Sequence, residues 1–387
     1  MDFSSTSEDE AFRRELRAFL EAEWAGGTGD ASVDSEEEFL RERAFEQQLG
    51  ARGWLTLGWP VEHGGQGASH VRQAIMKEEC SYFRAPAGGG PGGQATGLVG
   101  PAIMAYGTPE QQRAFLPPIA AGNVTWCQGF SEPDAGSDLA SVQTRAERSG
   151  DAYVLNGHKV WTSGAAYAGW IHVLARSDPD APKHKGISYF LVDMRSPGIS
   201  YRAIEEMTGR AGFYETFLEN VVVPNDNLLG EEHRGWYVAT TTLGLERSGM
   251  LRVGAVRRSF DDLVTLLRDR RQRDGAPAHK LAEHRVEIEI GRWLAYRVAS
   301  LQDRGAAVNY EASVSKTFNT EIAQRLANTA VNALGLPGTL VLDSYRAPGG
   351  GLPAFTYLLT AHWTISAGTS EIQRNIIAQR GLGLPRG

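Results

Sequence analysis

The sequence predicts an α+β protein of three parts, in which helices are followed by β strands and then by a helical bundle. Three observations support this order. Apolar residues recur at helical spacing over about the first 120 residues. Runs typical of β strands then extend from Trp126 to about Leu229, and long helical patterns return from Trp236. With 387 residues, the chain is long enough for two or three domains that each have a core.

The N-terminal part is predicted to contain several amphipathic helices. The apolar face of the first helix comprises Phe12, Leu16, Phe19 and Leu20. Further helices are predicted over "EEEFLRERAFEQQLGARGW" and near "VRQAIMKEECSYF". In "TPEQQRAFLPPIAAG", Thr108 is the expected N-cap, Pro109 takes the first helical position, and Gln111 completes a capping box.

The later segments show both β and helical signals. "DAYVLNGHKVW" is predicted to form a hairpin with its turn at Asn156–Gly157. "GISYFLVDM" and "FLENVVVP" continue the β pattern. Helical patterns follow over "GWYVATTTLGLERSGMLRVGAVRRSFDDLVTLLRDR", Leu281 to Leu301 and Ala312 to Leu334. In "ISAGTSEIQRNIIAQR", Ser370 and Gln373 are predicted to cap a final helix, which small residues leave open to a ligand.

Composition excludes several classes of protein. Hydrophobic residues make up 42% and charged residues 22%, as in soluble globular proteins. The net charge of −7 argues against a general affinity for nucleic acid or an anionic membrane. Cys80 and Cys127 form neither a disulfide framework nor a metal-ligand pattern, so no metal site is expected. Because no signal segment or spanning helix is visible either, we expect a cytoplasmic, soluble protein.

Two segments carry residues suited to binding a cofactor. In "WCQGFSEPDAGSDLASVQT", Pro133 and Gly136 force an irregular backbone whose amides and hydroxyls could bind the polar edge of a flat heterocycle. A plain interdomain turn is an equally good interpretation from loop chemistry alone. "HKVWTSGA" ends a strand with Trp161, for which a buried core position is the commoner explanation.

Together these motifs resemble the acyl-CoA dehydrogenase family. "FSEPDAGSD", "NGHKVWTSGA" and "AGTSEIQRNIIA" occur in the family's order and spacing, and "FLENVVVPNDNLLG" also resembles a family segment. The resemblance covers nearly the whole chain. It implies a helical N-terminal domain (1–124), a middle β-barrel domain (125–233) and a C-terminal four-helix bundle (234–387), which enclose one FAD per subunit.

The resemblance also implies site residues. Positions that match FAD contacts are Gln128, Phe130, Ser131, Trp161, Ser163, Arg271, Thr369 and Glu371. Trp161 would lie against the isoalloxazine, and Ser163 would hydrogen-bond near its hydride-accepting nitrogen. Ser137 matches a contact to the acyl-CoA. Arg271 is the closest match to an arginine that reaches the neighbouring subunit's FAD, but that motif is altered here, since Asp274 replaces its Phe.

The catalytic base departs from the commonest family pattern. Removal of the α-proton of a thioester needs a carboxylate whose pKa is raised toward neutrality. Many family members carry this glutamate directly before the Gly-Thr of the last helix, where this chain has Ala367. In a second arrangement, similar to the isovaleryl and long-chain enzymes, the glutamate lies on a bundle helix and matches Glu246.

Local chemistry is compatible with Glu246 as the base. On a helix, Glu246 would neighbour an apolar stripe that includes Met250 and Val253. Because no Lys or Arg lies three or four residues from Glu246, burial on this stripe should raise the pKa of its carboxyl. From periodicity alone, a structural acid paired with a distant arginine is equally plausible, and the family match favours the base. The N–H of Ala367 would donate to the thioester carbonyl. Arg247 matches a substrate-contact arginine, although a bundle salt bridge explains it equally well.

The predicted activity is therefore FAD-dependent dehydrogenation of an acyl-CoA to the 2-enoyl-CoA, with an electron-transferring flavoprotein as acceptor. Two alternatives stay open. One is a flavin oxidase or monooxygenase on the same fold, and the other is a non-catalytic subunit of a heteromeric dehydrogenase. A homo-oligomer (dimer or tetramer) is expected and a heteromer is possible.

Overall fold

The computed structural model describes residues 6–24, 26, 35–86, 90–245, 249–269 and 276–385. The chain forms two compact units, each assembled from segments distant in sequence. One, the helical unit, comprises Met1–Asp30, Ser69–Ala85 and Arg247–Gly387. The other, the sheet unit, comprises Ala31–Ala68 and Pro86–Glu246.

Helices dominate the N-terminal third of the chain. They are α1 (Ser7–Glu23), α2 (Glu36–Ala51), α3 (His70–Tyr82), α4 (Gly90–Gln94), α5 (Gly100–Tyr106) and α6 (Pro109–Ala120), with a π-helical turn, Ala95–Val99, between α4 and α5. The predicted face of α1 is confirmed, since Leu16 and Leu20 are fully buried. The predicted cap of α6 is confirmed too, because Thr108 and Gln111 form a reciprocal capping box and Pro109 follows the cap.

Among the described residues of the sheet unit, seven strands form one sheet. They are β1 (Trp126–Gly129), β2 (Arg145–Ser149), β3 (Ala152–Lys159), β4 (Trp170–Arg176), β5 (Ile187–Asp193), β6 (Ile199–Ile204) and β7 (Phe213–Pro224). β3 lies antiparallel between β2 and β7, and β6 pairs with β7. β4 pairs parallel with β1 and antiparallel with β5. One core of this unit includes Trp59, Leu116, Trp126 and Tyr189, and a second includes Tyr153, Phe190 and Val221.

The predicted hairpin turn at Asn156–Gly157 is wrong, because β3 runs straight through these two residues. The register against β7 shifts there, and the Asn156 side chain accepts from the N–H of Asn220 at 2.8 Å. The hairpin turn lies earlier, where Gly150 (φ +59°) joins β2 to β3. Gly157 instead permits a close approach, since a Cβ there would lie 2.3 Å from Thr144 Oγ1.

The C-terminal helices are α7 (Gly235–Leu245), α8 (Met250–Asp269), α9 (Ala276–Asp303), α10 (Tyr310–Leu334), α11 (Leu352–Trp363) and α12 (Ser370–Ile376). In the helical unit, α8 to α11 share a core that includes Phe260, Leu326 and Trp363. No described helix is long and apolar enough to cross a membrane.

A buried carboxylate connects four helices of the helical unit. Glu78 of α3 is fully buried and accepts hydrogen bonds from Arg292 Nε (2.7 Å) and Tyr296 Oη (2.5 Å). It also pairs with Arg13 of α1 and Arg257 of α8. Burial alone would raise the pKa of Glu78, but these cations and the Tyr296 hydroxyl lower it to about 2. The carboxylate is therefore ionised and fully compensated.

Candidate active site

The segment after β1 has the irregular backbone that its sequence predicts. Glu132 and Ala135 exchange two backbone hydrogen bonds of 3.1 Å, which close a tight turn. Ser131 is half-buried before this turn, and Ser137 is exposed after it. The carbonyl of Ser131 accepts from the N–H of Val160 at 2.9 Å, so this segment is joined to the end of β3.

Gln128 and Phe130 differ in the polar groups that they offer to a ligand. Phe130 is buried, and its ring meets the rings of His172 (5.1 Å between centroids) and Tyr189 (5.8 Å) edge to face. Only its backbone is therefore suited to a polar ligand. The Nε2 of Gln128, which pairs with His172 in the sheet, is buried and has no hydrogen-bond partner among the described residues.

Trp161 is exposed, contrary to the more common core position. Its backbone lies in the left-handed region (φ +62°), and its side chain is 58% exposed. The neighbouring Thr162 donates its N–H to the carbonyl of Tyr214 at 2.9 Å, while its buried Oγ1 has no partner within the described chain. Ser163 is half-buried next to it. The segment thus presents an indole face, and its polar groups are suited to a flat heterocycle.

The turn before α12 is built differently from the prediction. Thr369, not Ser370, is the N-cap, and its side chain accepts from the N–H of Ile372 at 3.2 Å. The predicted capping box is wrong because the Gln373 side chain turns the other way. Its Nε2 donates to the carbonyls of Ala367 (3.1 Å) and Gly368 (3.3 Å).

Lys316 holds the same turn from α10. Its Nζ donates to the carbonyl of Gly368 at 2.8 Å, and burial, with a further contribution from Arg252, lowers its pKa to about 8. Ala367 is exposed in the left-handed region (φ +53°). Within the described residues, no atom accepts from the N–H of Ala367 or Gly368. The turn therefore directs its carbonyls toward side chains and leaves two amides available to a ligand.

An open cleft of about 470 Å³ lies beside this turn in the helical unit. Its lining comprises Glu321, Gln324, Arg325, Thr364, Ile365, Ser370, Glu371 and Arg374. The buried Ser370 Oγ has no partner within the described chain. The backbone N–H of Glu371 and the Thr369 hydroxyl hold the pKa of the Glu371 carboxyl below its usual value. Glu371 is thus an anion in the first turn of α12, which is not the state of a base with a raised pKa.

Three predicted site residues, Glu246, Arg247 and Arg271, lie outside the described residues. The uninterrupted helix expected through this region is wrong. α7 ends at Leu245 and α8 begins at Met250, and Gly249 is in the left-handed region (φ +73°). A Cβ at Gly249 would lie 3.2 Å from Ser315 Oγ, so a side chain there would crowd α10. The apolar stripe that was expected to continue through Met250 and Val253 on one helix is therefore divided.

Known proteins resemble this chain along its whole length. Models of the acyl-CoA dehydrogenase N-terminal, middle and C-terminal domains match residues 6–123, 127–221 and 233–382. Acyl-CoA dehydrogenase IpdE1 of Mycobacterium tuberculosis is 39% identical over 386 residues, which cover 97% of this chain and 98% of that protein.

Solved structures agree with this likeness. The Tcur3481-Tcur3483 steroid ACAD has a TM-score of 0.93 at 32% identity, and the ChsE4-ChsE5 complex from Mycobacterium tuberculosis has one of 0.89 at 34% identity. Each comparison covers 100% of both chains. These likenesses define an oxidoreductase of the flavoprotein class. The chain belongs to the acyl-CoA dehydrogenase family, so the predicted fold class, enzyme class and FAD cofactor are confirmed.

The described residues offer groups that fit FAD. In the sheet unit, the exposed Trp161 indole and the unpartnered Gln128 Nε2 and Thr162 Oγ1 offer stacking and hydrogen bonds. In the helical unit, Ser370 Oγ is buried without a partner among the described residues. Thr369 already caps α12, and Glu371 lines the cleft.

Sequence reasoning missed three polar residues near these segments: Glu132, Lys159 and His172. One signal was present. Lys159 has the same parity along β3 as the buried Tyr153 and Leu155, so strand alternation points its side chain inward. A lysine on a buried face requires acceptors, and these come from parts of the chain that strand alternation does not identify.

Proposed function

We propose that this protein oxidises an acyl-CoA thioester to the 2-enoyl-CoA, with Glu246 removing the α-proton. Bound FAD supplies the acceptor for the β-hydride. The observation that carries the proposal is the turn before α12, which offers two backbone N–H groups and, at the position of the commonest family base, only a methyl group. A base that this chain supplies would then lie on another segment, and Glu246 matches the alternative family position.

The role of Ala367 follows from its backbone. Loss of the α-proton places negative charge on the thioester oxygen, and fixed N–H donors lower the energy of that enolate. The donors at Ala367 and Gly368 are held in place because Lys316 and Gln373 bind the carbonyls of the same turn. The missing side chain at Ala367 leaves room for a carboxylate on another segment to reach the α-carbon.

We also propose a bulky, polycyclic acyl group. Support comes from the likeness to the Tcur3481-Tcur3483 steroid ACAD along the whole chain. A straight-chain acyl group of short or medium length is the competing substrate. An acyl-CoA panel that includes a steroid side-chain thioester separates the two.

A heteromeric assembly is the second structural proposal. The ChsE4-ChsE5 complex, at 34% identity over the whole chain, joins two different chains. The altered Arg271 motif fits a partner that completes the adenine half of the FAD site. Size-exclusion chromatography with light scattering, with and without co-expressed relatives, tests this. A homotetramer with one FAD per chain would contradict it.

Anaerobic mixing with acyl-CoAs tests the activity itself. The expected result is loss of visible flavin absorbance with one substrate class, followed by slow reoxidation in air and fast reoxidation by an electron-transferring flavoprotein. Reoxidation by air within seconds would favour the oxidase alternative. A purified chain without flavin colour, or flavin in that chain that no acyl-CoA bleaches, would favour the non-catalytic subunit.

A further inference from the structure

The side chain of Lys159 is the most completely enclosed cation of the sheet unit's described residues. It ends β3, is fully buried, and carries an ammonium with three N–H donors. These donate to Glu132 Oε1 at 2.7 Å, the Leu174 carbonyl at 2.7 Å and the Phe130 carbonyl at 3.1 Å. Each donor therefore has one acceptor.

Glu132 is equally well satisfied. Its Oε1 also accepts from the N–H of Thr144 at 2.9 Å, and its Oε2 accepts from the N–H of Gln143 at 2.6 Å. Burial alone would raise the pKa of Glu132, but the Lys159 ammonium and these donors hold it below its usual value. The carboxylate is therefore ionised, and the Lys159–Glu132 pair is a complete buried ion pair.

Such a pair is poorly explained by stability alone. The cost of removing two charges from water offsets most of their attraction, so apolar residues of similar volume often serve as well. The pair instead fixes the local geometry, because its hydrogen bonds have defined directions. These bonds connect four segments: the end of β3, strand β4, the residues around Phe130, and Gln143–Thr144.

The pair lies directly beside the segments proposed to contact FAD. Its bonds fix Phe130 and Glu132, the residues on either side of Ser131. Lys159 is also two residues before Trp161, and the N–H of Val160 between them donates to the Ser131 carbonyl at 2.9 Å. Ser131 and Trp161 are thus held together by one buried network.

From this placement we infer that Lys159 and Glu132 are positioning residues, which hold Ser131 and Trp161 in the arrangement that binds the isoalloxazine. The inference rests on the proposed flavin contacts. It distinguishes the pair from the Glu78 cluster, a buried ion cluster of the helical unit. The described partners of Glu78 are Arg13, Arg257, Arg292 and Tyr296, and none of these four is assigned to FAD.

The test compares Glu132→Gln and Lys159→Met with Glu78→Gln as the matched control. Glu132→Gln and Glu78→Gln each remove one buried negative charge and leave its cations behind. Each full-length variant is stripped of FAD and titrated with it, and flavin absorption, flavin fluorescence and urea unfolding are recorded. If a single variant does not fold, the double variant Glu132→Gln/Lys159→Met, which leaves no lone charge, replaces it.

We expect Glu132→Gln and Lys159→Met to bind FAD at least about tenfold more weakly, which corresponds to about 1.4 kcal/mol, and to shift the flavin spectrum. Glu78→Gln should lower the urea midpoint but keep the FAD dissociation constant within about threefold of the wild-type value. Wild-type-like affinity and spectrum in the Glu132 and Lys159 variants would overturn the inference. So would an equal loss of affinity in Glu78→Gln, which would indicate a general effect of stability.

A separate pair of variants tests the proposed flavin contacts themselves. If Trp161→Ala and Ser131→Ala left FAD affinity and spectrum unchanged, the side chains of these two residues would not contact the cofactor, and the inferred positioning role would be wrong as well. If those two variants weakened FAD binding while the Glu132 and Lys159 variants did not, only the positioning role would be wrong.

Discussion

Replacement of His172 by Gln should remove a defined part of the protein's acid sensitivity. His172 is fully buried on β4, between the rings of Phe130 and Tyr189, and its Nδ1 lies 2.7 Å from the Tyr189 hydroxyl. Its Nε2 has no partner among the described residues. Burial lowers the pKa of His172 from 6.5 to about 3, because the imidazolium would lose its hydration without gaining a counter-charge.

The sign and size of the effect follow from this shift. The unfolded chain takes up a proton near pH 6.5, whereas the folded chain does not until about pH 3. The stability contribution of the neutral ring is therefore fully present above pH 6.5 and is lost as pH falls. At pH 5 the loss is about 2 kcal/mol, from 1.36 kcal/mol per pH unit over about 1.5 units.

Urea unfolding at pH 7.5 and pH 5, with equal FAD, measures this loss. The glutamine of His172→Gln keeps an acceptor for the Tyr189 hydroxyl but cannot be protonated. Between pH 7.5 and pH 5, the free energy of unfolding of this variant should therefore fall by about 2 kcal/mol less than that of the wild type. The control, His279→Gln, changes an exposed ring and leaves the buried one in place, so the wild-type loss should persist. An unchanged pH dependence in His172→Gln would refute the reasoning.

Three further substitutions have expected outcomes. Gly157→Ala should lower the free energy of unfolding by about 1–3 kcal/mol, because the added Cβ would overlap the Thr144 side chain. Gly136→Ala is the control, since its Cβ would enter open space and should change the free energy of unfolding little. Urea unfolding of both variants measures the difference. Trp161→Ala should weaken FAD binding by about tenfold, while the urea midpoint of the FAD-free protein stays unchanged because the indole is exposed. Equal FAD affinity in a fluorescence titration would remove Trp161 from the cofactor site. Lys316→Met should lower kcat/KM by about tenfold or more while FAD stays bound, because the turn before α12 loses the hydrogen bond from the Lys316 ammonium. Steady-state kinetics that match the wild type would contradict this.

The sequence predicted helices well where one apolar face decides the structure. The α1 face and the Thr108 cap depend on contacts within a few residues, and both are confirmed. The Asn156–Gly157 hairpin was wrong because a distant strand overrode the local turn signal. Asn156 bonds to Asn220, and Gly157 faces Thr144.

The candidate site was predictable as segments but not as geometry. Motifs identified the Ser131, Trp161 and Thr369 regions, yet the exposure of Trp161 depends on a left-handed backbone that sequence does not show. The Lys159–Glu132 pair joins residues 27 positions apart, and its third acceptor comes from β4. Strand alternation can predict that Lys159 is buried, but local patterns contain no information on its distant partners, so the pair could be identified only from the structure.

Glu246→Gln under anaerobic conditions, with Glu283→Gln as the control, tests the central claim most directly. Glutamine has the shape of glutamate but cannot take up the α-proton, so bound acyl-CoA should no longer bleach the flavin, although FAD and substrate still bind. The control changes an exposed carboxylate of α9 that pairs with Lys280 and has no assigned role at the flavin or the substrate, so it should continue to bleach. Rapid bleaching by the Glu246 variant would show that another group removes the proton.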